Sequence, residues 1–279
     1  MRTKNFFLGL LALLLGITNS GEACTGAKEE ATGMAGVASQ EKSTHKPYWR
    51  PQDLGDSDTE RAISYTVQLP AKGVDVNYDH VISATIPLKN KAGIGVHAVS
   101  SELSGEKEKS LSLAYGKRLI DKNRLSFSVG AKVGFVFYTD PNKDIKNKPY
   151  LLSTLGTSIK KETETAGTFK ASCMLQNKKN LRPGLSWNKD GWGLTTELYN
   201  ALGYEGNKDT EDDWKNSKGF RIGISKDLGE IILRAGYNGV NDTYSVGGGY
   251  EGDNWEFNFV GSMGDGKYVG GAFEIGKRF

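Results

Sequence analysis

Polar and apolar residues alternate along most of the chain from residue 61 to its C-terminal end. The clearest stretch is 125–138, where one face is apolar and the other carries Ser126, Ser128, Gly130, Lys132 and Gly134. A period of two residues is typical of a β-strand whose two faces meet different environments. Strands of soluble proteins are usually shorter, whereas a tilted strand that crosses a membrane needs roughly ten residues plus overhang. The pattern therefore favours membrane-crossing strands.

The same alternation predicts about fourteen strands. They cover residues 63–69, 81–88, 93–101, 111–119, 125–138, 151–160, 167–175, 181–187, 192–202, 220–225, 231–238, 244–250, 255–263 and 268–279. Spread over residues 61–279, this is roughly sixteen residues for each strand with its connection, a normal repeat for a transmembrane barrel. The predicted fold class is an all-β, transmembrane antiparallel β-barrel.

The last strand, residues 268–279, is amphipathic and has an aromatic residue at its final position. Such a strand is typical of a bacterial outer-membrane barrel, whose last strand must pair with its first, here the strand that begins near Arg61. Phe273 and Phe279 are expected on the lipid face, and both are candidate barrel-assembly residues. Lys277 shares that face, but its place near the strand end would let it reach the lipid headgroups. A soluble periplasmic sandwich is the structural alternative.

Connection lengths agree with a barrel when they are counted back from a periplasmic C-terminal end. The predicted periplasmic turns are residues 89–91, 121–123, 160–165, 188–191, 226–229 and 251–254. Several of them contain Asp, Asn or Gly, which tolerate the dihedral angles of tight turns. The two longest loops of the predicted barrel, residues 140–148 and 205–216, then fall on the outer side.

The N-terminal region has a different character. Arg2 and Lys4 precede an apolar run, residues 6–17, and small residues follow, which predicts a secretory signal peptide over residues 1–23. Cys24 invites a lipoprotein interpretation, but residues 21–23 match the usual Leu-small-small pattern poorly, so this remains a minor alternative. Residues 24–60 do not alternate and form a separate N-terminal periplasmic segment, which leaves 61–279 for the barrel.

Two short stretches carry a resemblance to a known family. Gly33-Met34-Ala35-Gly36-Val37-Ala38 and Tyr48-Trp49-Arg50-Pro51-Gln52-Asp53-Leu54 together resemble the N-terminal segment of the FadL-like superfamily of outer-membrane proteins. That superfamily includes long-chain fatty-acid transporters and PorV-type proteins, and the strands at 73–88, 112–132 and 220–249 are similar to PorV-type strands in their order. The resemblance implies that residues 24–60 fold into the barrel as a plug.

Composition and motifs limit the classes of partner and site that the sequence supports. The mean hydropathy of −0.47 does not argue against the membrane, because barrel strands dilute their apolar residues by alternation. A formal charge of +3 without a cluster of Lys or Arg indicates no nucleic-acid partner.

The sequence has two cysteines, Cys24 and Cys173, which are too few for a disulfide framework, although a single disulfide between them is possible. Neither the three histidines nor any sequence motif indicates a catalytic residue, a cofactor or a metal site. Glu211-Asp212-Asp213 could hold a divalent cation, but a solvated loop tip is the favoured interpretation.

The polar strand faces supply the candidate site residues. If the Phe-rich faces meet lipid, then inward positions include Arg118, Lys132, Arg221, Arg234, Glu256, Asn258 and Glu274. The four basic residues Arg118, Lys132, Arg221 and Arg234 are candidate ligand-binding residues, because a basic side chain in the lumen can hold a carboxylate headgroup. They can equally pair with the inward acids or with the plug. Aromatic residues near the predicted strand ends form a candidate girdle: Trp187, Trp192, Trp255, Tyr138, Tyr237 and Tyr250.

The sequence therefore predicts a Sec-exported, non-enzymatic protein of the bacterial outer membrane. The resemblance implies passage or binding of small hydrophobic molecules. A PorV-type barrel that binds a protein or assists secretion is the alternative, and the polar outer loops at 140–148 and 205–216 mildly disfavour it. The expected partners are outer-membrane lipid, the barrel assembly machinery and a small hydrophobic ligand.

Overall fold

The computed structural model describes residues 39–40, 46–56, 59–69, 79–103, 106–139, 150–177, 180–201, 218–240, 242–264 and 267–279. The predicted signal peptide, Cys24, the Gly33–Ala38 motif and the two long outer loops lie outside the described residues. Within the part that is described, no helix combines the length and apolar character needed to cross a membrane.

Fourteen antiparallel strands form one closed barrel, in which each strand pairs with its neighbours in the sequence. The strands are β1 (Ala62–Leu69), β2 (Asp79–Leu88), β3 (Ala92–Leu103), β4 (Glu106–Lys122), β5 (Leu125–Thr139), β6 (Tyr150–Thr163), β7 (Gly167–Gln176), β8 (Asn180–Lys189), β9 (Trp192–Tyr199), β10 (Gly219–Asp227), β11 (Ile231–Asn238), β12 (Thr243–Glu251), β13 (Trp255–Gly264) and β14 (Lys267–Arg278). The predicted all-β, antiparallel barrel and its number of strands are confirmed.

The first and last strands close the barrel. β1 pairs with β14 from Ala62 opposite Arg278 to Leu69 opposite Gly271. At the same seam, the backbone N–H of Phe279 donates to the carbonyl of Arg61 at 2.9 Å. The expected pairing of the last strand with the strand near Arg61 is therefore confirmed, and closure leaves no sheet edge unpaired.

Short turns connect the strands on one rim, at residues 89–91, 123–124, 164–166, 190–191, 228–230 and 252–254. In the β4–β5 turn, Asn123 and Arg124 both have positive φ, at 51° and 62°, and Asp190 and Gly191 repeat this at 51° and 75°. Two successive positive φ values are the requirement of a type I′ hairpin turn, which Asn, Asp and Gly meet at low cost. The opposite rim carries the two longest connections, 140–149 and 200–218, as the alternation of loops predicts.

The two faces of the barrel differ sharply. Outward side chains such as Leu111, Phe135 and Leu155 are more than half exposed, with Leu155 at 62%. Inward side chains are almost completely buried, and most of them are small, polar or charged, as Lys132, Arg221 and Glu274 are. The side-chain period of two thus separates an apolar exterior from a polar interior, the reverse of a soluble protein.

A short piece of the N-terminal region, residues 46–56, lies inside the barrel and is called the inner segment below. It contains one turn of helix, α1 (Lys46–Trp49), followed by a 3-10 helix (Pro51–Gly55) whose residues are all buried. The backbone N–H of Arg50 donates to the Lys46 carbonyl at 2.8 Å, and that of Asp53 to the Arg50 carbonyl at 2.9 Å. These local bonds satisfy backbone groups that would otherwise be buried without partners. The inner segment packs against β2–β6.

Candidate functional site

A row of glycines forms the wall beneath the inner segment. Gly93, Gly116, Gly130 and Gly156 lie opposite one another across β3, β4, β5 and β6, in a single register row. A Cβ atom on any of them would overlap the inner segment: the carbonyl of Leu54 above Gly93, that of Pro51 above Gly116, and Gln52 above Gly130 and Gly156. Only glycine lets the segment approach so closely, so the row is a seat for its backbone.

Two ionic contacts hold the inner segment at its sides. Lys170 of β7 pairs with Asp53, and the Ser158 hydroxyl donates to the other carboxylate oxygen of Asp53 at 3.3 Å. On the other side, the Arg118 guanidinium contacts Asp56 at 3.0 Å. Asp53, Lys170 and Arg118 are nearly fully buried, and a buried charge must be paired and hydrogen-bonded to be tolerated.

The wall from β8 to β10 carries its own charge cluster. Glu197 of β9 accepts from Arg182 Nε at 2.6 Å and lies 3.5 Å from Arg221 Nη1. The Arg221 guanidinium also lies over the Tyr199 ring, 4.4 Å from its centre. Two guanidinium groups therefore share one carboxylate and one aromatic face, an arrangement in which the ring adds cation–π attraction.

The same kind of pairing continues from β11 to β14. Arg234 Nη1 donates to the Asn258 side-chain oxygen at 3.2 Å, and the Asn258 amide donates to Glu274 at 3.5 Å. At the seam, Arg278 contacts Glu256 at 2.6 Å and both Glu251 and Glu60 at 3.3 Å. Arg278 thereby ties the end of the last strand to β12, β13 and the residues that precede β1.

The structure places all four candidate ligand-binding residues inside the barrel, but on two different walls. Arg118 and Lys132 lie on the side of the inner segment, whereas Arg221 and Arg234 lie on the β8–β14 side and are paired there. Lys132 faces Thr154 across the β5–β6 pair, and its charge interacts with that of Arg182. Their ligand-binding role remains a prediction.

Several interior residues were not among the sequence-derived candidates. Arg182, Glu197, Asp53 and Lys170 provide central contacts, and alternation within β7, β8 and β9 could have identified Lys170, Arg182 and Glu197 as inward. Asp53 had no such signal, because it lies in a segment without a strand period.

Aromatic residues mark the rims, as the predicted girdle requires. Trp192 lies 4.8 Å from Lys226 Nζ, and Trp255 lies 5.2 Å from Lys277 Nζ, which is equally close to the Phe279 ring. Lys277 is thus on the outer face between two rings at the strand end, as its expected reach toward headgroups requires. Phe273 and Phe279 are also on the outer face, and their part in assembly remains a prediction.

The described histidine and cysteine side chains lie at separate places in the barrel. Among the residues described above, no group of three or more His, Cys, Asp or Glu is placed to hold a metal ion. The Cys173 thiol is free. His97 is buried in the lumen, and His80 Nδ1 hydrogen-bonds the Tyr65 hydroxyl at 2.6 Å on the outer face. The acidic cluster 211–213 lies outside the described residues.

Comparison with known proteins shows the fold but no sequence family. No protein-family model matches the sequence, and no curated protein matches it. Among solved structures, the CymD monoaromatic hydrocarbon channel has a TM-score of 0.59 and 11% identity, over 95% of this chain and 98% of that one. A deltaS2S3 mutant of the TodX monoaromatic hydrocarbon channel has a TM-score of 0.58 and 10% identity, over 92% and 99%. A Pseudomonas aeruginosa FadL homologue has a TM-score of 0.56 and 10% identity, over 92% and 99%.

These similarities support the predicted closed β-barrel, a fold that this chain shares with the two hydrocarbon channels and the FadL homologue. At such low identity they carry no more than the fold. The finer resemblance to PorV-type proteins remains a prediction.

Proposed function

We propose that the protein spans the bacterial outer membrane as a FadL-like barrel and passes or binds small hydrophobic molecules without catalysing a reaction. The observation that carries this proposal is the closed barrel with its apolar exterior, its buried polar lining and an inner segment seated on one wall. Sec export and delivery by the barrel assembly machinery belong to the same proposal, as do contacts with outer-membrane lipid.

The exterior supports a membrane location. Large apolar side chains are exposed on the outward faces of β4, β5 and β6, and aromatic residues lie near the rims. In water such a surface would be an aggregation hazard, whereas hydrocarbon accommodates it. The charged side chains Lys132, Arg221 and Glu274 are inward and buried, which agrees with a cost of about 2–4 kcal/mol for Arg or Lys on a lipid face at the midplane.

The interior supports a restricted pathway. The inner segment occupies the space beside β2–β6, and its contacts with Lys170 and Arg118 fix it there. We infer that residues 24–60 act as the plug and that a solute moves between the inner segment and the β8–β14 wall. A narrow, lined pathway favours small molecules over large ones.

The substrate class rests on two supports. The solved structures with a similar fold include monoaromatic hydrocarbon channels and a FadL homologue. Inside this barrel, the inward positions also include apolar residues that are buried, such as Val136, Leu152 and Met174. The protein-binding alternative depends on the outer loops 140–148 and 205–216, whose sequences are strongly polar and mildly disfavour a broad apolar docking face, so the barrel lumen is the favoured site.

Uptake by whole cells tests the proposal. The full-length chain is produced in a strain that lacks its own fatty-acid transporter, and the entry of labelled oleate and labelled toluene is measured. We expect entry of at least one of them to rise several-fold over a vector control, with Asp190→Asn, an exposed rim substitution, behaving as wild type. Deletion of residues 24–60 should raise pore conductance in planar bilayers. A barrel that reaches the outer membrane but admits neither solute would contradict the transport proposal.

A further inference from the structure

The Gln52 side chain is the least expected group in the lumen. It is fully buried, and neither its amide nitrogen nor its amide oxygen has a hydrogen-bond partner within the described structure. Buried polar groups in folded proteins are nearly always paired, and an unpaired one costs about 1–3 kcal/mol. An amide that offers both a donor and an acceptor is therefore open to a partner that the described residues do not supply.

The surroundings of Gln52 define a small polar site. Its amide rests directly on Gly156, and Thr154 and Lys132 lie one step further along the same inward faces of β6 and β5. One step of two residues is about 7 Å along a strand, which brings these groups within the span of one small molecule. The Thr154 hydroxyl is also buried and also has no hydrogen-bond partner. Lys132 already interacts with other groups of the chain, so the hydrogen-bonding groups that are left for a ligand are those of Gln52 and Thr154.

Apolar side chains border this polar site. Met174 lies opposite Gly156 across the β6–β7 pair, and Leu152 lies one step beyond Thr154 on the inward face of β6. Both are buried, at 2% and 8% exposure. A ligand held here would meet hydrogen-bonding groups at one end and apolar groups beside them.

We propose that this site, defined by Gln52, Thr154 and Gly156, binds the hydroxyl group of a small hydrophobic alcohol or phenol. A hydroxyl can donate to the Gln52 amide oxygen and accept from the amide nitrogen or from Thr154, so it satisfies both unpaired ends at once. A carboxylate accepts only and leaves the amide oxygen unpaired, and a pure hydrocarbon satisfies neither end. The inference rests on the proposed function, because the ligand reaches the site through the lumen.

Photolabelling of the purified full-length protein in amphipol tests the site directly. The probe is an octanol that carries a diazirine, and labelled residues are located by mass spectrometry. We expect label in residues 50–56 and 150–156, with unlabelled 1-octanol displacing it about tenfold better than octanoate or octane. A tenfold preference corresponds to about 1.4 kcal/mol, close to the value of one net hydrogen bond.

Variants then separate the site from the fold. Gln52→Met keeps the length of the side chain but removes both hydrogen-bonding ends, so it should lower octanol labelling at least fivefold. Thr154→Val should do so more weakly, and Thr195→Val on the inward face of β9 should leave labelling unchanged. Equal displacement by octanol and octane, with no effect of Gln52→Met, would mean that water alone fills the site and would overturn the inference.

The outcome is distinguishable from failure of the proposed function. Normal uptake of oleate or toluene with no selective labelling would reject the alcohol site alone. Selective labelling without uptake by cells would leave the site in place and reject passage through the barrel.

Discussion

At the scale of single residues, the lumen is organised by which charges meet across neighbouring strands. Glu197 accepts from Arg182 and lies beside Arg221, and all three side chains are almost completely buried. Alternation places each of these residues on the inward face, but it does not identify their partners. The partners follow from register, in which Glu197 lies opposite Arg221 and Gly184, and register depends on turns and pairing far along the chain.

Replacing Glu197 tests whether this cluster stabilises the wall. In Glu197→Gln, two buried guanidinium groups lose their shared carboxylate, so we expect a loss of about 3–5 kcal/mol in the free energy of unfolding. Urea-induced unfolding in lipid vesicles, followed by tryptophan fluorescence, measures it. Asp190→Asn removes a carboxylate that is 81% exposed and should change the free energy of unfolding by less than about 1 kcal/mol. Equal effects of the two variants would show that the cluster contributes no more to the free energy of unfolding than an exposed carboxylate does.

At the scale of elements, most strands could be predicted because each has one apolar face. The sequence predicts residues 125–138 as a strand, and β5 is Leu125–Thr139. The predicted strand 111–119 is too short, because β4 begins at Glu106 and its first residues, Glu106-Lys107-Glu108-Lys109, show no alternation of apolar and polar residues in the sequence. Those residues form a strand because they pair with β3 and β5, a tertiary reason that periodicity does not contain.

The glycine row under the inner segment could not be predicted from the sequence either. Each of the four glycines sits in an alternating strand, where glycine commonly means only curvature or close packing. Their meaning becomes clear when register aligns Gly93, Gly116, Gly130 and Gly156 in one row under residues 51–54. The Tyr48–Leu54 motif marks the segment in the sequence. Its position against β3–β6 depends on the register of the folded strands, which the sequence does not show.

A larger side chain at Gly130 should unseat the inner segment and leave the barrel intact. In Gly130→Val, the new atoms would overlap the backbone of Pro51 and Gln52, which cannot give way as a flexible side chain can. We expect faster proteolysis of the inner segment and a larger conductance in planar bilayers. Thr195→Ile replaces a hydroxyl with an ethyl group on the inward face of β9, away from the inner segment, and should change neither. Unchanged proteolysis and conductance in Gly130→Val would contradict the claim that the inner segment rests on the glycine row.

At the scale of the whole molecule, the exposed apolar side chains on the outer face of the barrel are expected to face hydrocarbon. Leu155 lies outward near the middle of β6, and Leu228 is similarly exposed in the turn between β10 and β11. Leu155→Arg should therefore lower the free energy of unfolding from vesicles by about 2–4 kcal/mol, and Leu228→Arg by about 0–1 kcal/mol. A soluble protein with an exposed leucine at both places would show no such difference.

Closure of the barrel in the outer membrane is the central claim, and heat-modifiable gel migration tests it most directly. Outer-membrane fractions of cells that produce the full-length chain are run unheated and heated in the same gel. A closed barrel of fourteen strands should resist detergent and migrate faster when unheated than after boiling. Identical migration of both samples, with the protein released by osmotic shock without detergent, would contradict the account.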